Sequence, residues 1–140
     1  SPTRSIIRAL LQAAAKGADV RLIVPAKSDL GFFPLLTSTY YAELIRNEVR
    51  IFEYLPTILH AKLLITDELC LVGSTNLNHR SLIHDIEFDI VLDRPQSLRE
   101  AEQYFLSDQS LSREVMTKHV RLLGRRRWLG WIPWLIRYWL

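Results

Sequence analysis

The segment that decides the fold is His60-Ala61-Lys62-Leu63-Leu64-Ile65-Thr66-Asp67, followed after five residues by Gly73-Ser74-Thr75-Asn76. His60 and Lys62 are two residues apart beside an apolar run, and side chains on a strand alternate between its faces. We therefore expect both on one face of a sheet. A second apolar run, Cys70-Leu71-Val72, precedes the second polar cluster, so the sequence predicts a hairpin that brings the two clusters together.

The residue types in these clusters suit a phosphate group. The ammonium of Lys62 neutralises phosphate charge, and Ser74 and Asn76 can donate hydrogen bonds to phosphate oxygens. The imidazole of His60 can attack phosphorus or carry a proton. Together the four side chains predict a phosphate-binding site with a catalytic histidine.

The spacing His-x-Lys-x4-Asp with a trailing Gly-Ser-x-Asn resembles the signature of the phospholipase D superfamily. The surrounding sequence is similar to the C-terminal half of bacterial cardiolipin synthase-like proteins, and the similarity weakens beyond about Leu106. Those proteins usually have six residues between the motif Asp and the Gly, whereas this chain has five. The shorter spacing predicts a tighter hairpin turn at Glu68-Leu69.

The resemblance implies a catalytic set of His60, Lys62, Asp67 and Glu87, with phosphate held by Lys62, Ser74 and Asn76. For Asp67, a role in the turn or in an ion pair is an equal alternative, since it ends the predicted strand. Glu87 takes the role of the carboxylate that orients the motif histidine.

The assignment of Glu87 rests partly on physical grounds, because a carboxylate fixes the imidazole tautomer and stabilises the imidazolium. Asp85 and Asp89 share its predicted strand face and are the alternatives. No metal-ligand spacing or glycine-rich phosphate loop is visible, so we expect phosphodiester chemistry without a metal or cofactor.

Hydrophobic periodicity predicts an α/β fold, in which helices flank a mixed β-sheet. The resemblance implies that this is a phospholipase D-like α/β sandwich with a single copy of the motif. The predicted helices are 5–16, 36–47, one opened by a capping box at Ser97-x-x-Glu100, and 111–123. The predicted strands are 20–24, 49–54, 61–66, 69–73 and 86–92. We expect a catalytic half-domain over 1–108 and a basic, Trp-rich extension over 109–140.

Charge is distributed unevenly along the chain. Residues 1–117 carry twelve Lys and Arg against fifteen acidic residues, a net charge of −3, whereas residues 118–140 carry six basic residues and no acidic one. Nonspecific nucleic-acid binding depends on basic contacts to phosphates, so nucleic acid is not the expected partner. The last 23 residues also contain all four tryptophans. Trp and Arg together favour an anionic membrane surface, and packing on the domain or on a missing half is the alternative.

Two enzymatic functions and one non-enzymatic function fit this sequence. The first is a cardiolipin synthase-like phosphatidyltransferase that acts on phosphatidylglycerol through a phosphohistidine at the bacterial cytoplasmic membrane, held peripherally or anchored through absent sequence. The second is a homodimeric single-motif phosphodiesterase or nuclease. The third is a half-domain that only binds lipid or a partner. The chain begins with Ser, and we expect a missing N-terminal half or a homodimer partner to supply the second motif.

Overall fold

The computed structural model describes residues 3–27, 40–76, 81 and 84–116, and the fold is given for these residues. Its helices are α1 (Arg4–Ala15), α2 (Tyr41–Arg46) and α3 (Pro95–Ser110). Its strands are β1 (Arg21–Pro25), β2 (Arg50–Tyr54), β3 (Leu63–Ile65), β4 (Cys70–Gly73), β5 (Asp89–Leu92) and β6 (Ser112–Glu114).

The first sheet has the strand order β1-β2-β6 and carries the main core. β1 runs parallel to β2, and β6 pairs antiparallel with the other edge of β2. Because β2 is central, its side chains are covered, and Ile51 is 0% exposed. The core around it contains residues of α1, of α2, of the position just before β2 and of the position just after β6, namely Ile7, Ala14, Tyr41, Leu44, Val49 and Val115.

The second sheet, β3-β4-β5, is an antiparallel meander. A tight turn joins β3 to β4: the Thr66 amide donates to the Leu69 carbonyl at 2.8 Å, and the Thr66 hydroxyl accepts from the Leu69 amide at 3.1 Å. The central residues of this turn are therefore Asp67 and Glu68, one position earlier than the sequence predicted. Cys70 on β4 is fully buried, and burial raises the pKa of its thiol.

Helix α3 contacts strands of both sheets. Ala101 is its buried residue, and Leu98 and Phe105 on the same face are partly buried. This helix therefore connects the core sheet to the sheet that carries the motif. The α/β class and the flanking of sheets by helices are confirmed, and the described strands form two three-stranded sheets rather than one.

The start of α3 corrects the predicted capping box. The N-cap is Arg94, whose backbone is extended, and Pro95 is the first helical residue. Proline favours this position because its fixed φ suits the first turn, where no amide donor is needed. Ser97 therefore lies within the first turn, and no side chain caps the helix.

The predicted helix over 111–123 is wrong at its start. Residues Ser112–Glu114 form β6, because their backbone pairs with β2 and Arg50 bonds Glu114 at 2.9 Å. β6 lies inside the segment predicted as an extension, and 117–140 lie outside the described residues. β5 is shorter than predicted and begins at Asp89. The first four residues of the predicted helix 36–47 are also outside the description.

Candidate functional site

His60 and Lys62 lie side by side at the entrance to β3. The Lys62 Nζ is 2.9 Å from His60 Nδ1 and donates to the His60 carbonyl at 2.8 Å. The two residues precede the first paired residue of the strand, but their side chains meet as the alternation predicted. An ammonium only donates, so Nδ1 accepts and neutral His60 carries its proton on Nε2. In this exposed ring, Nε2 is therefore the nitrogen that is not bonded to Lys62.

The charge of Lys62 is influenced by burial and by Glu87. Partial burial lowers the pKa of Lys62, and the nearby carboxylate of Glu87 opposes that shift. Glu87 therefore lies close enough to act electrostatically on Lys62, whereas its predicted role of orienting His60 stays a prediction. It comes just before β5 rather than on it. Within the described residues no hydrogen bond joins Glu87 to His60.

The loop that follows β4, residues 73–76, lies beside the motif. The Gly73 amide donates to the Lys62 carbonyl at 3.2 Å, which fixes this loop next to the His-Lys pair. Ser74 is bound to the chain before β5, where its amide donates to the Phe88 carbonyl at 3.0 Å and its hydroxyl accepts from the Phe88 amide at 3.0 Å. The Ser74 hydroxyl also donates to the Phe88 carbonyl, but the oxygen–oxygen distance of 3.5 Å makes this hydrogen bond weak. The hydroxyl proton is therefore available to a stronger acceptor.

Asn76 reaches in a different direction. Its side-chain amide donates to the hydroxyl of Ser81 at 3.3 Å, and Ser81 is a buried polar residue. One of the two amide hydrogens is used in this way, and the other can donate elsewhere. Ser74 and Asn76 therefore each combine a structural bond with remaining donor capacity.

Asp67 does not lie with the other predicted residues. It is exposed in the turn after β3, and an extended chain of four residues from Lys62 to Thr66 spans roughly 13 Å. The structure thus places Asp67 at the opposite end of β3 from His60. A role in the turn fits this position, and its predicted catalytic role stays a prediction.

The sequence did not predict a contact near the site between Thr75 and Asp89. Thr75 donates to the carboxylate of Asp89 through both its amide, at 3.2 Å, and its hydroxyl. The sequence indicated Asp89 only as an alternative partner for His60. Because Thr75 and Asp89 are 14 positions apart, no local sequence pattern predicts their contact.

Two kinds of feature are absent from the part of the chain that the structure describes. It contains no group of three or more His, Cys, Asp or Glu residues placed to hold a metal ion. None of its helices is long and apolar enough to cross a bilayer.

Comparison with known proteins gives the family. A family model described as "Cardiolipin synthase, PLD-like domain" matches residues 1–109. The chain belongs to this family. The resemblance that the motif indicated is thereby confirmed at the level of the superfamily and its cardiolipin synthase-like branch.

Curated relatives agree with the family model. The chain is 32% identical over 130 residues to cardiolipin synthase A of Pseudomonas fluorescens strain SBW25, covering 92% of this chain and 27% of that protein. It is 35% identical over 128 residues to cardiolipin synthase 2 of Bacillus anthracis, covering 89% of this chain and 25% of that protein. The chain therefore spans about a quarter of the length of these relatives.

A solved structure supports the fold. Nuc from Salmonella typhimurium, a phospholipase D family member, superposes with a TM-score of 0.71 at 18% sequence identity. The match covers 83% of this chain and 76% of that one. The α/β arrangement that positions the motif is therefore a phospholipase D-family fold.

Proposed function

We propose that this chain is one catalytic half of a cardiolipin synthase-like phosphatidyltransferase, which transfers a phosphatidyl group from one phospholipid to the alcohol of another. The observation that carries the proposal is the meeting of His60 and Lys62 with the 73–76 loop at one end of the β3-β4-β5 sheet. Glu87 lies close enough to this end to influence the charge of Lys62. The names of the relatives supply the substrate class, with phosphatidylglycerol as the expected donor.

The proposed chemistry uses two histidines. One imidazole nitrogen attacks phosphorus, a P–N bond forms, and the P–O bond to the leaving alcohol breaks while the second histidine gives that oxygen a proton. The incoming alcohol then loses its proton to the second histidine and attacks phosphorus, which breaks the P–N bond. We assign His60 to the acid/base role, with Lys62 neutralising the phosphate and Ser74 and Asn76 donating to its oxygens. The reaction needs no metal or cofactor.

A second copy of the motif is required, and we propose that it comes from a missing N-terminal half or from a homodimer partner. The surroundings of Glu87 support a covering partner. Ile86 is fully exposed, Phe88 is 72% exposed, and Ile90 and Val91 on β5 are also exposed. Apolar side chains adjoining a polar site are typical of a surface that another surface covers.

The proposed location is the bacterial cytoplasmic membrane, with the protein held peripherally or anchored through sequence outside this chain. The support comes from composition: a body of net charge −3 precedes a segment with six basic residues and four tryptophans. Such a segment favours an anionic membrane surface over nucleic acid.

The proposal is tested by replacing His60 with Ala in the full-length protein and measuring cardiolipin formed from phosphatidylglycerol, with excess chelator present. We expect at least a hundredfold loss of turnover, about 2.7 kcal/mol of barrier. The fold should persist, because His60 is exposed and, within the described residues, its side chain and carbonyl form hydrogen bonds with Lys62 alone. Circular dichroism checks this point.

His119→Ala is the matched control, because this histidine lies outside the motif. It should retain turnover. Retention of more than a hundredth of wild-type activity by His60→Ala, with a native spectrum, would show that His60 is not catalytic. Loss of wild-type activity in chelator would contradict the metal-free reaction.

A further inference from the structure

The loop 73–76 is attached to β5 and the residue before it by five side-chain or backbone hydrogen bonds of Ser74 and Thr75. Three join Ser74 to the backbone of Phe88. The other two join Thr75 to Asp89: the backbone amide donates to Oδ1 at 3.2 Å, and the hydroxyl donates to Oδ2. A bidentate carboxylate thus fixes both the backbone and the side chain of the residue between Ser74 and Asn76.

The contact between Thr75 and Asp89 depends on the glycine at position 73. Gly73 is the register partner of Asp89, and a Cβ at position 73 would collide with Asp89 Oδ1 and lie 2.6 Å from Asp89 Cα. The carboxylate therefore occupies space that only glycine leaves open. Bonds to a charged acceptor are roughly twice as strong as those between neutral groups.

The same bonds separate the roles of two neighbouring carboxylates. Both oxygens of Asp89 accept from Thr75, whereas Glu87 acts on the charge of Lys62. Two donors also offset the negative charge of Asp89, which would otherwise repel a phosphate beside Lys62. Asp89 is therefore suited to hold the loop rather than to assist His60.

We propose that Asp89 is a positioning residue: by holding Thr75, it places the weakly bonded hydroxyl of Ser74 and the second amide hydrogen of Asn76 to donate to the phosphate group of a bound phosphodiester. The proposal rests on the proposed function, since a phosphodiester is the assumed ligand. Asp89 itself does not touch the substrate, and Thr75 is the residue through which it acts.

The kinetic test uses Asp89→Ala in the full-length protein, with bis(p-nitrophenyl) phosphate as the probe. Donors that hold phosphate oxygens in both ground state and transition state contribute uniform binding, so their misplacement raises KM. We expect KM to rise roughly fivefold or more, with kcat within about threefold of wild type. A variant that merely lowered the folded fraction would reduce kcat and leave KM unchanged, and that result would overturn the proposal.

Thr75 supplies the internal control. Thr75→Ser keeps both bonds to Asp89 and should preserve KM, whereas Thr75→Val keeps the size and loses the hydroxyl bond. Thr75→Val should raise KM in the wild-type background and add little in the Asp89→Ala background, because contacting residues are not additive. Full additivity would show that Asp89 does not act through Thr75.

A readout independent of activity separates this proposal from the proposed function. Hydrogen exchange at the Thr75 amide should speed up roughly tenfold in Asp89→Ala, since its acceptor is gone. Asp93→Asn, an exposed carboxylate just beyond β5, should leave that rate unchanged. An unchanged Thr75 rate in Asp89→Ala overturns the positioning role, whereas a wild-type protein inactive on any phosphodiester overturns the proposed function alone.

Discussion

At the scale of single residues, Lys62 combines a binding role with an electrostatic penalty. Its Nζ is bonded to two atoms of His60, yet partial burial lowers the pKa of Lys62 below the ordinary value of 10.5, with Glu87 opposing the shift. The folded state therefore releases this proton at a lower pH than the unfolded state. In consequence the contribution of Lys62 to stability rises as pH increases through the folded-state pKa toward 10.5.

We predict that Lys62→Met abolishes phosphate binding and does not lower the free energy of unfolding at pH 7. The apolar replacement removes a partly desolvated ammonium, and it also removes the rise in stability as the pH increases from 7 toward 10.5. Urea unfolding across that range measures both effects. A large loss of stability at neutral pH would mean that the His60–Lys62 contact holds the fold together.

The residues at the site were predicted from sequence to different degrees. His60 and Lys62 could be found because their spacing is local and their types are chemically distinctive. The contact of Thr75 with Asp89 could not, because it forms only when the β4-β5 register places Gly73 opposite Asp89. Asp67 was ambiguous because an aspartate after a strand suits a turn as well as a motif.

At the scale of elements, α3 begins without a side-chain cap, which provides a way to stabilise it. Replacing Arg94 by Asp gives the first turn an acceptor at the N-cap and a negative charge beside the positive end of the helix dipole. We predict a gain of about 1 kcal/mol in the free energy of unfolding.

The control for this prediction is Ser97→Ala. Because Ser97 lies inside the first turn rather than at the N-cap, its loss should change stability by less than about 0.5 kcal/mol. Thermal and denaturant unfolding of the two variants decide between Arg94 and Ser97 as the cap position. A substantial loss in Ser97→Ala would restore the capping box that the sequence suggested.

Strand β6 is attached to β2 by an ion pair whose strength depends on pH. The hydrogen bond from Arg50 lowers the pKa of Glu114 below the ordinary value of 4.5, and partial desolvation opposes the shift. A carboxyl with a lowered pKa stabilises the fold above its unfolded pKa. That contribution is lost as pH falls through the folded-state value.

Glu114→Gln should therefore flatten the fall in stability between pH 5 and pH 3. Both side chains are largely exposed, so the effect should stay below about 1 kcal/mol. Glu43→Gln, an exposed change on α2, is the control and should keep the wild-type slope. An unchanged slope in Glu114→Gln would mean that the pair contributes nothing to holding β6.

The elements also show where sequence reasoning ends. The amphipathic pattern of α1 predicted a helix, because one face of the helix is buried. The apolar runs around the motif predicted strands, although Leu63 and Leu64 on β3 are both exposed. The pattern over 111–123 predicted a helix, yet Ser112–Glu114 pair with β2, some sixty residues earlier in the chain. Such pairing depends on the assembled sheet and leaves little trace in the local sequence.

At the scale of the whole molecule, the acidic body and the basic segment should have separable roles. We predict that deleting 128–140 weakens binding to anionic phosphatidylglycerol vesicles and leaves turnover of a soluble phosphodiester unchanged. The reason is that the candidate site lies between His60 and Asp89, whereas the tryptophans and the excess of basic residues lie beyond residue 117.

Replacing Arg125, Arg126 and Arg127 by Ser tests the electrostatic contribution to vesicle binding. Each basic residue near an anionic surface contributes about 1 kcal/mol, and salt screens it. Vesicle cosedimentation at low and high salt should show the triple variant converging with wild type as salt rises. Equal binding by the truncated protein, or its unfolding, would assign the segment to the core or to a partner.

The exposed strand β5 has a consequence for how the chain behaves during synthesis. Its outer edge is unpaired within the described structure, and it is lined by Phe88, Ile90 and Val91. Unpaired apolar edges recruit other strands and nucleate aggregates. If the proposed partner covers this strand, a copy made without it should precipitate or be degraded, and the yield of soluble protein then reports whether that partner is bound.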